Sequence, residues 1–394
     1  MVEAIREKLD ERKIVDLIKE MIGIPSHPGI AGQETELAEF IESYFKDIGI
    51  PAETREVEDA RKNVLAAMKS VGGNKKLLLC GHLDTVPPYD MADPYNAKIA
   101  DGNIYGRGAV DMKSQIACMM EAMRITHELS IPLSGDVLFA GIIDEEHNSL
   151  GAIDLVERGP YADFAIIGEP TSFRPCTCHM GLEWLEFEFI GKAAHGGKQK
   201  DGINAIEIAA KFMGMAETRI NEKLKLKTHP IIGCGTMNYG KISGGTQPST
   251  VAAECVLQLD RRWLPGERYE DVLADFQAIV DDLKNEYNTE ITMRAMPESV
   301  SKDGFIHPPL NTRADDGTVR DVIQKSLAVM GLSGELAYFP AWSDAGLLYE
   351  YAKIPCAVLG PGDLSSAHTG GEHIAISDVL DGVLLYALII QNYQ

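Results

Sequence analysis

Four short apolar runs, each followed by groups able to bind a metal or move a proton, constrain the fold of this chain more than any other feature. "KLLLCG" (76–81), "DVLFAGII" (136–143), "DFAIIG" (163–168) and "IPCAVLG" (354–360) are continuous rather than alternating, and helical patterns lie between them. Runs of this kind suit strands buried on both faces, in a mostly parallel sheet flanked by helices. The residues that follow are His82 and Asp84, Glu145 and Glu146, Glu169, and His368 by way of "GPGDLSSAH". Open parallel sheets bind ligands outside the carboxyl ends of their strands, so groups distant in sequence are expected at one rim.

The glycine-rich "YGRGAVD" leads into "DMKSQIACMMEAMRITHEL", where Ile116, Met119, Met120 and Met123 share a helical face and Asp111 stands at the position of an N-cap. The pattern changes near residue 182. In "LEWLEFEFIG", Leu185, Phe187 and Phe189 alternate with Glu186 and Glu188, which predicts a strand with one wet face. A helix with Ile206, Ala209, Ala210 and Met213 on its inner face follows, then strands in "GTMNYGKI" and "TVAAECVLQLD". A second helix, aligning Val272, Phe276, Ile279, Leu283 and Tyr287, precedes a last strand in "TEITMRAM". The order β-α-β-β-α-β is a split βαβ, ferredoxin-like arrangement. Residues 182–296 are therefore expected as an α+β domain inserted into a larger α/β domain formed by 1–181 and 297–394.

Charge and cysteine usage exclude several classes of function. Thirty-seven basic residues against 59 acidic ones give a net charge of −22, which repels nucleic acid and anionic lipid. No run approaches the ~18 apolar residues of a membrane span. The charged, amphipathic start "MVEAIREKLDERKIVDLIKEM" does not read as a secretory signal. Seven scattered cysteines suit reduced thiols, and a cytoplasmic location is expected.

Two imidazoles with several carboxylates and no cysteine form a donor set suited to zinc, cobalt or manganese. Five ligands exceed what one catalytic zinc takes from protein but suit two ions sharing a carboxylate, with a spare glutamate left to act on water. Each residue also has a plain structural reading: a strand-end histidine satisfied locally, a solvated Glu145–Glu146 loop, Glu169 in a turn before Pro170, and Asp111 as a helix cap. Their joint position at strand ends is what favours the metal.

The segments "GHLDTVP", "GRGAVDMKSQIA", "DEEHNSLGA", "IIGEP", "GKAAHGG", "DRRWLPGE" and "GPGDLSSAHTGGEHI" resemble, in order and over nearly the whole chain, the motifs of the M20 metallopeptidases. That family includes acetylornithine deacetylase, succinyl-diaminopimelate desuccinylase, aminoacylase and glutamate carboxypeptidase. The resemblance implies a zinc-exopeptidase-like catalytic domain with an inserted lid and dimerisation domain. It implies two Zn2+ per subunit, with Co2+ or Mn2+ as substitutes: His82 and Glu169 on one ion, Glu146 and His368 on the other, Asp111 bridging. Asp84 would orient His82, and Glu145 would be the general base. His195 would reach the active site of a partner subunit in a homodimer and donate to the oxyanion, and Arg262 would bind a substrate carboxylate. His147, His179 and His373 receive no role.

Gly346 after "SDA" stands where the desuccinylase carries an arginine, which counts against that substrate. Ser249 replaces an asparagine that often contacts substrate, and Glu169 rather than aspartate is the form similar to deacylases and carboxypeptidases. The expected substrate is an N-acyl amino acid or a short peptide with a free carboxylate. A dipeptidase or aminopeptidase is the alternative, and a catalytically silent binding protein is the alternative of another class. Glu145 argues against silence, because a binding module has no need of a base.

Overall fold

The structure is a computed structural model that describes residues 2–296, 299 and 304–393. It divides into two compact units: residues 1–178, 310–339 and 343–394, and residues 179–309 with 340–342. The expected domain boundary at 296/297 falls where the described residues stop, 297 and 298 lying outside them.

The first unit is built on a mixed sheet. Its strands run, from one edge, Ala52–Glu58, Arg61–Met68, Asp136–Ile142, Lys76–His82, Phe164–Ile167, Cys356–Val358, Cys176–His179 and Leu310–Asn311. The centre is parallel: Leu77 pairs with Val137 on one side and Phe164 on the other, and Cys356 pairs with Ala165. All four central strands contain the continuous apolar runs, and Leu77, Leu78, Leu79 and Cys80 are fully buried. A side chain enclosed on both faces gains about 1.5–3 kcal/mol from burial, so an apolar run is stable only in the middle of such a sheet. The edge strand Ala52–Glu58 is antiparallel and half-buried, and its residues are correspondingly polar.

The Lys113–Glu128 helix lies against this core with Ile116, Met119, Met120 and Met123 buried. Its N-cap is Met112, and no side chain caps it. Asp111 is therefore not a cap: its carboxylate turns away to His82 and His368. Gly81 permits the close approach of this segment, because a Cβ there would stand 2.5 Å from Met112 Cε. A side chain at position 81 would force the Met112 side chain to move.

The second unit carries a four-stranded antiparallel sheet ordered Thr236–Gly244, Glu254–Trp263, Gly181–Ile190, Ile291–Ala295, with helices Ala205–Ala216 and Tyr269–Tyr287. The alternation expected in "LEWLEFEFIG" holds residue by residue: Leu185, Phe187 and Phe189 are buried against the helices, while the intervening positions are half-buried. The first helix is rotated from expectation. Ala205, Ile208, Ala209, Phe212 and Ala216 face inward, whereas Ile206 and Ala210 are exposed and Met213 is half-buried. Phe212 decides the rotation, since its ring packs against Phe187, Phe189 and Phe276. Among the described residues no helix is long and apolar enough to cross a membrane.

Candidate metal centre

The carboxyl ends of the parallel strands bring the five expected ligands together. His82 is the last residue of its strand, Glu169 lies two residues beyond Phe164–Ile167, and Glu146 lies four beyond Asp136–Ile142. Asp111 arrives on the loop before the Lys113–Glu128 helix, and His368 on the loop after Cys356–Val358. Two donor groups result, each with ligand atoms within 4.8 Å of one another: His82, Asp111 and Glu169, and Asp111, Glu146 and His368. Asp111 belongs to both. Its Oδ1 is 3.0 Å from His82 Nε2, and its Oδ2 is 3.0 Å from His368 Nε2. His82 Nε2 also lies 3.6 Å from Glu169, and His368 Nε2 lies 2.9 Å from Glu146.

The tautomer of His82 follows from its other nitrogen. Nδ1 is 2.9 Å from the carbonyl of Asp84, which can only accept, so Nδ1 carries a proton and Nε2 is the nitrogen turned to Asp111 and Glu169, the one an ion would take. The Asp84 carboxylate lies farther off, 3.5 Å from Nδ1. Its main contacts are the backbone N–H groups of Glu145 and Glu146, which donate to Oδ1 and Oδ2 at 3.1 and 2.9 Å. Asp84 thus ties the strand end holding His82 to the loop holding both glutamates.

Electrostatics show which ligands suit this cluster. Asp84, Asp111, Glu145, Glu146, Glu169 and Asp344 crowd around two imidazoles. Burial raises Glu169 to about 8, with the charges of Asp111 and Glu146 adding to it and His82 opposing. Burial likewise raises Glu145 well above the usual carboxylate range, and raises Glu146. His368 is pushed up to about 10 by Asp111 and Glu146. Burial alone would depress His82, but Asp111 and Asp84 outweigh it and raise the imidazole. So many carboxylates sharing so little positive charge fit divalent cations: nitrogen and oxygen donors, one oriented imidazole and a shared carboxylate suit zinc, cobalt or manganese.

The remaining expected residues lie elsewhere in the chain. His195 is in the second unit and exposed; its Nδ1 accepts from the Gly197 N–H at 3.1 Å, which leaves Nε2 as the ring nitrogen able to donate. Arg262, also in the second unit, engages Asp260 with both arms of its guanidinium, at 2.8 and 3.1 Å. Gly346 is buried in the helix Ala345–Glu350, and the Ser249 carbonyl accepts from Gly196.

Three features went unread in the sequence. Asp344, inside the "SDA" used only to weigh Gly346, is buried near the cluster, and burial raises it to about 7. Arg61 holds Glu34 through two bonds and Asp144 through a third at 2.8 Å, bracing the "DEE" loop. Arg107 and Glu372 meet beside Asp111, 265 residues apart in sequence. Both lie within segments that carried the family resemblance, so the signal was present, but nothing in one chain connects them.

Comparison with known proteins follows this geometry. Residues 78–392 match the model described as peptidase family M20/M25/M40. An acetylornithine deacetylase from Proteus mirabilis is 30% identical over 396 residues, covering 96% of each chain. An N-formyl-4-amino-5-aminomethyl-2-methylpyrimidine deformylase from Bacillus subtilis is 26% identical, covering 99% of this chain and 96% of that one. Among solved structures, an aminopeptidase PepT from Bacillus cereus superposes with a TM-score of 0.81 at 22% identity, covering 98% of this chain and 99% of that one.

Proposed function

The chain belongs to peptidase family M20/M25/M40 and is a metal-dependent hydrolase, and from that premise we propose that it hydrolyses the amide bond of an N-acyl amino acid or a short peptide with a free carboxylate. The observation that carries the reading is the pair of donor groups joined through Asp111. The deacylase preference draws on the two relatives, a deacetylase and a deformylase, that align over nearly the full chain.

In this reading His82 and Glu169 hold one divalent ion, Glu146 and His368 hold a second, and Asp111 is shared; zinc is the first choice. When bound, the ions supply Lewis acidity, drawing electron density from the scissile carbonyl and making water easier to deprotonate. Glu145 takes the proton of the attacking water on its carboxylate and passes it to the departing nitrogen. Burial strengthens its hold on a proton, which suits a group that must carry one between two transfers. Asp84 keeps the Glu145–Glu146 backbone in place through its two accepted N–H bonds.

His195 donates its Nε2–H to the developing oxyanion. The assembly that goes with this role is a homodimer formed through the second unit, which acts as lid and dimerisation domain. Arg262 takes the substrate carboxylate in exchange for Asp260, with the same forked geometry. A cytoplasmic home fits the seven free cysteines.

The test is turnover by protein loaded with zinc, cobalt or manganese on acetylated, formylated and succinylated amino acids and on dipeptides, with a chelator control. The proposal expects chelator-sensitive release of amino acid from the acylated set. Turnover of dipeptides alone would replace the deacylase reading with the dipeptidase one, and turnover indifferent to chelator would end both.

A further inference from the structure

We propose that Arg107 and Glu372 are a positioning pair that fixes the shared carboxylate of Asp111 relative to the loop bearing His368, and so sets the spacing of the two donor groups. The inference rests on the two-ion reading above. Glu372 follows His368 by four residues and is fully buried. Its Oε1 accepts from two consecutive backbone groups, the N–H of Val110 at 3.1 Å and the N–H of Asp111 at 3.2 Å. Its Oε2 accepts from Arg107 Nη1, and Arg107 is itself 1% exposed.

The same two segments are joined through their backbones. Gly106 N–H donates to the Glu372 carbonyl, and the short strand His373–Ala375 pairs antiparallel with Asn103–Tyr105. Gln115 adds a second brace, its side-chain amide donating to the carbonyls of Val110 and Pro361 at 2.7 and 2.8 Å. The Val110–Asp111 peptide is therefore held on its N–H side by Glu372, from the loop that carries His368, and on its carbonyl side by Gln115, which also reaches that loop at Pro361.

A stability role alone explains this arrangement poorly. Removing two charges from water costs about as much as their attraction returns, so a buried ion pair stabilises a fold weakly against an apolar pair of similar volume. What a carboxylate does better than an apolar group is to orient two neighbouring N–H groups at once. Fixing that peptide fixes the Cα from which the Asp111 side chain departs, and Asp111 is the one residue common to both donor groups. Neither Arg107 nor Glu372 is among the donor groups, so the pair acts through Asp111 and the backbone.

The test uses the full-length protein, stripped and titrated with Zn2+ against a chromogenic chelator, and loaded with Co2+ for electron paramagnetic resonance. Wild type is expected to take up two ions. In Glu372→Ala the weaker-binding ion should lose about 10–100-fold in affinity, the range seen when outer partners of a ligand are removed, with the tighter one unchanged. The magnetic coupling between the two Co2+ ions, which reports their separation, should change with it, and kcat should fall while KM holds. The isosteric Glu372→Gln, which keeps an oxygen for both N–H groups, should recover part of the affinity; should the alanine variant not fold, this variant carries the test by a smaller loss of the same kind. A variant with a lower melting temperature but wild-type affinities and coupling would overturn the pair as a positioning device. Wild type binding fewer than two ions would instead overturn the two-ion reading beneath it.

Discussion

The two units of this molecule treat their histidines in opposite ways. In the first, His82 and His368 sit among six carboxyls, and the imidazoles and most of the carboxyls are held above their ordinary pKa values. In the second, His307 is buried edge-on against the Trp342 ring, 4.5 Å between centroids, and burial lowers it to about 4, with the Arg262 charge pushing the same way. The second arrangement is ordinary core chemistry, in which a titratable ring is kept neutral by an apolar and cationic setting. The first is a concentration of like charge that protein groups alone balance badly. Divalent cations fit such a cluster, and the contrast supports the proposed reading of the rim.

The largest effect expected is at the one residue both donor groups share. Asp111→Ala should abolish uptake of two ions and bring hydrolysis to the level of the chelated protein, read by equilibrium dialysis with elemental analysis. Two ions retained at wild-type affinity would break the comparison at its root, since the crowded rim would then owe nothing to the shared carboxylate.

In the proposed reading, Glu145 separates holding the ions from using them. Glu145→Gln removes the base without touching any member of the two donor groups, so both ions should stay while kcat falls by about 10²–10⁴-fold. Loss of an ion along with activity would place Glu145 among the ligands and dissolve the distinction between the binding groups and the spare one.

Within the first unit the two donor groups differ in exposure, and that predicts a graded response. His82, Asp111 and Glu169 are all buried, whereas the His368 side chain is 48% exposed and its backbone lies in the left-handed region at φ 60°. A loop residue held in a sparsely populated conformation yields more readily than the end of a central strand. His368→Ala should therefore release one ion and spare the other, and the melting temperature of the loaded protein should drop less than in His82→Ala. Equal losses from the two variants would show that the rim binds its ions as one cooperative unit.

How much of this could be read beforehand follows from which interactions are local. The apolar runs declared the parallel strands, because burial on both faces leaves its mark residue by residue; the alternation of Leu185, Phe187 and Phe189 declared the antiparallel sheet in the same way. His82, Glu146, Glu169 and His368 were legible as strand-end groups and Asp111 as the residue before a helix, though their pairing came from family resemblance. The face of the Ala205–Ala216 helix was not legible: "AIEIAAKFMGMA" is apolar on more than one side, and only the partner rings Phe187 and Phe276 select Phe212 over Met213. Asp111 satisfied the sequence rule for a helix cap and was drawn off by two imidazoles that lie 29 and 257 residues away. Arg107 and Glu372 were invisible for a similar reason, since no local pattern marks an ion pair spanning 265 residues.

The smallest effect tests the other half of the contrast, His307. Its folded pKa of about 4 lies below the ordinary 6.5, so below pH 6.5 the unfolded chain binds a proton that the folded one refuses. The stability this ring contributes is complete above pH 6.5 and is lost as the pH falls toward 4, on the order of 3 kcal/mol if the whole shift is expressed. In ion-loaded protein, the melting temperature of wild type should therefore fall more between pH 7 and pH 4.5 than that of His307→Leu, whose side chain cannot take up the proton. The substitution also removes ring contact with Trp342, so the variant should begin lower at pH 7, and the two curves should converge on acidification. Parallel curves would mean that His307 titrates normally, and the second unit would then no longer serve as the neutral counterpart to the crowded rim of the first.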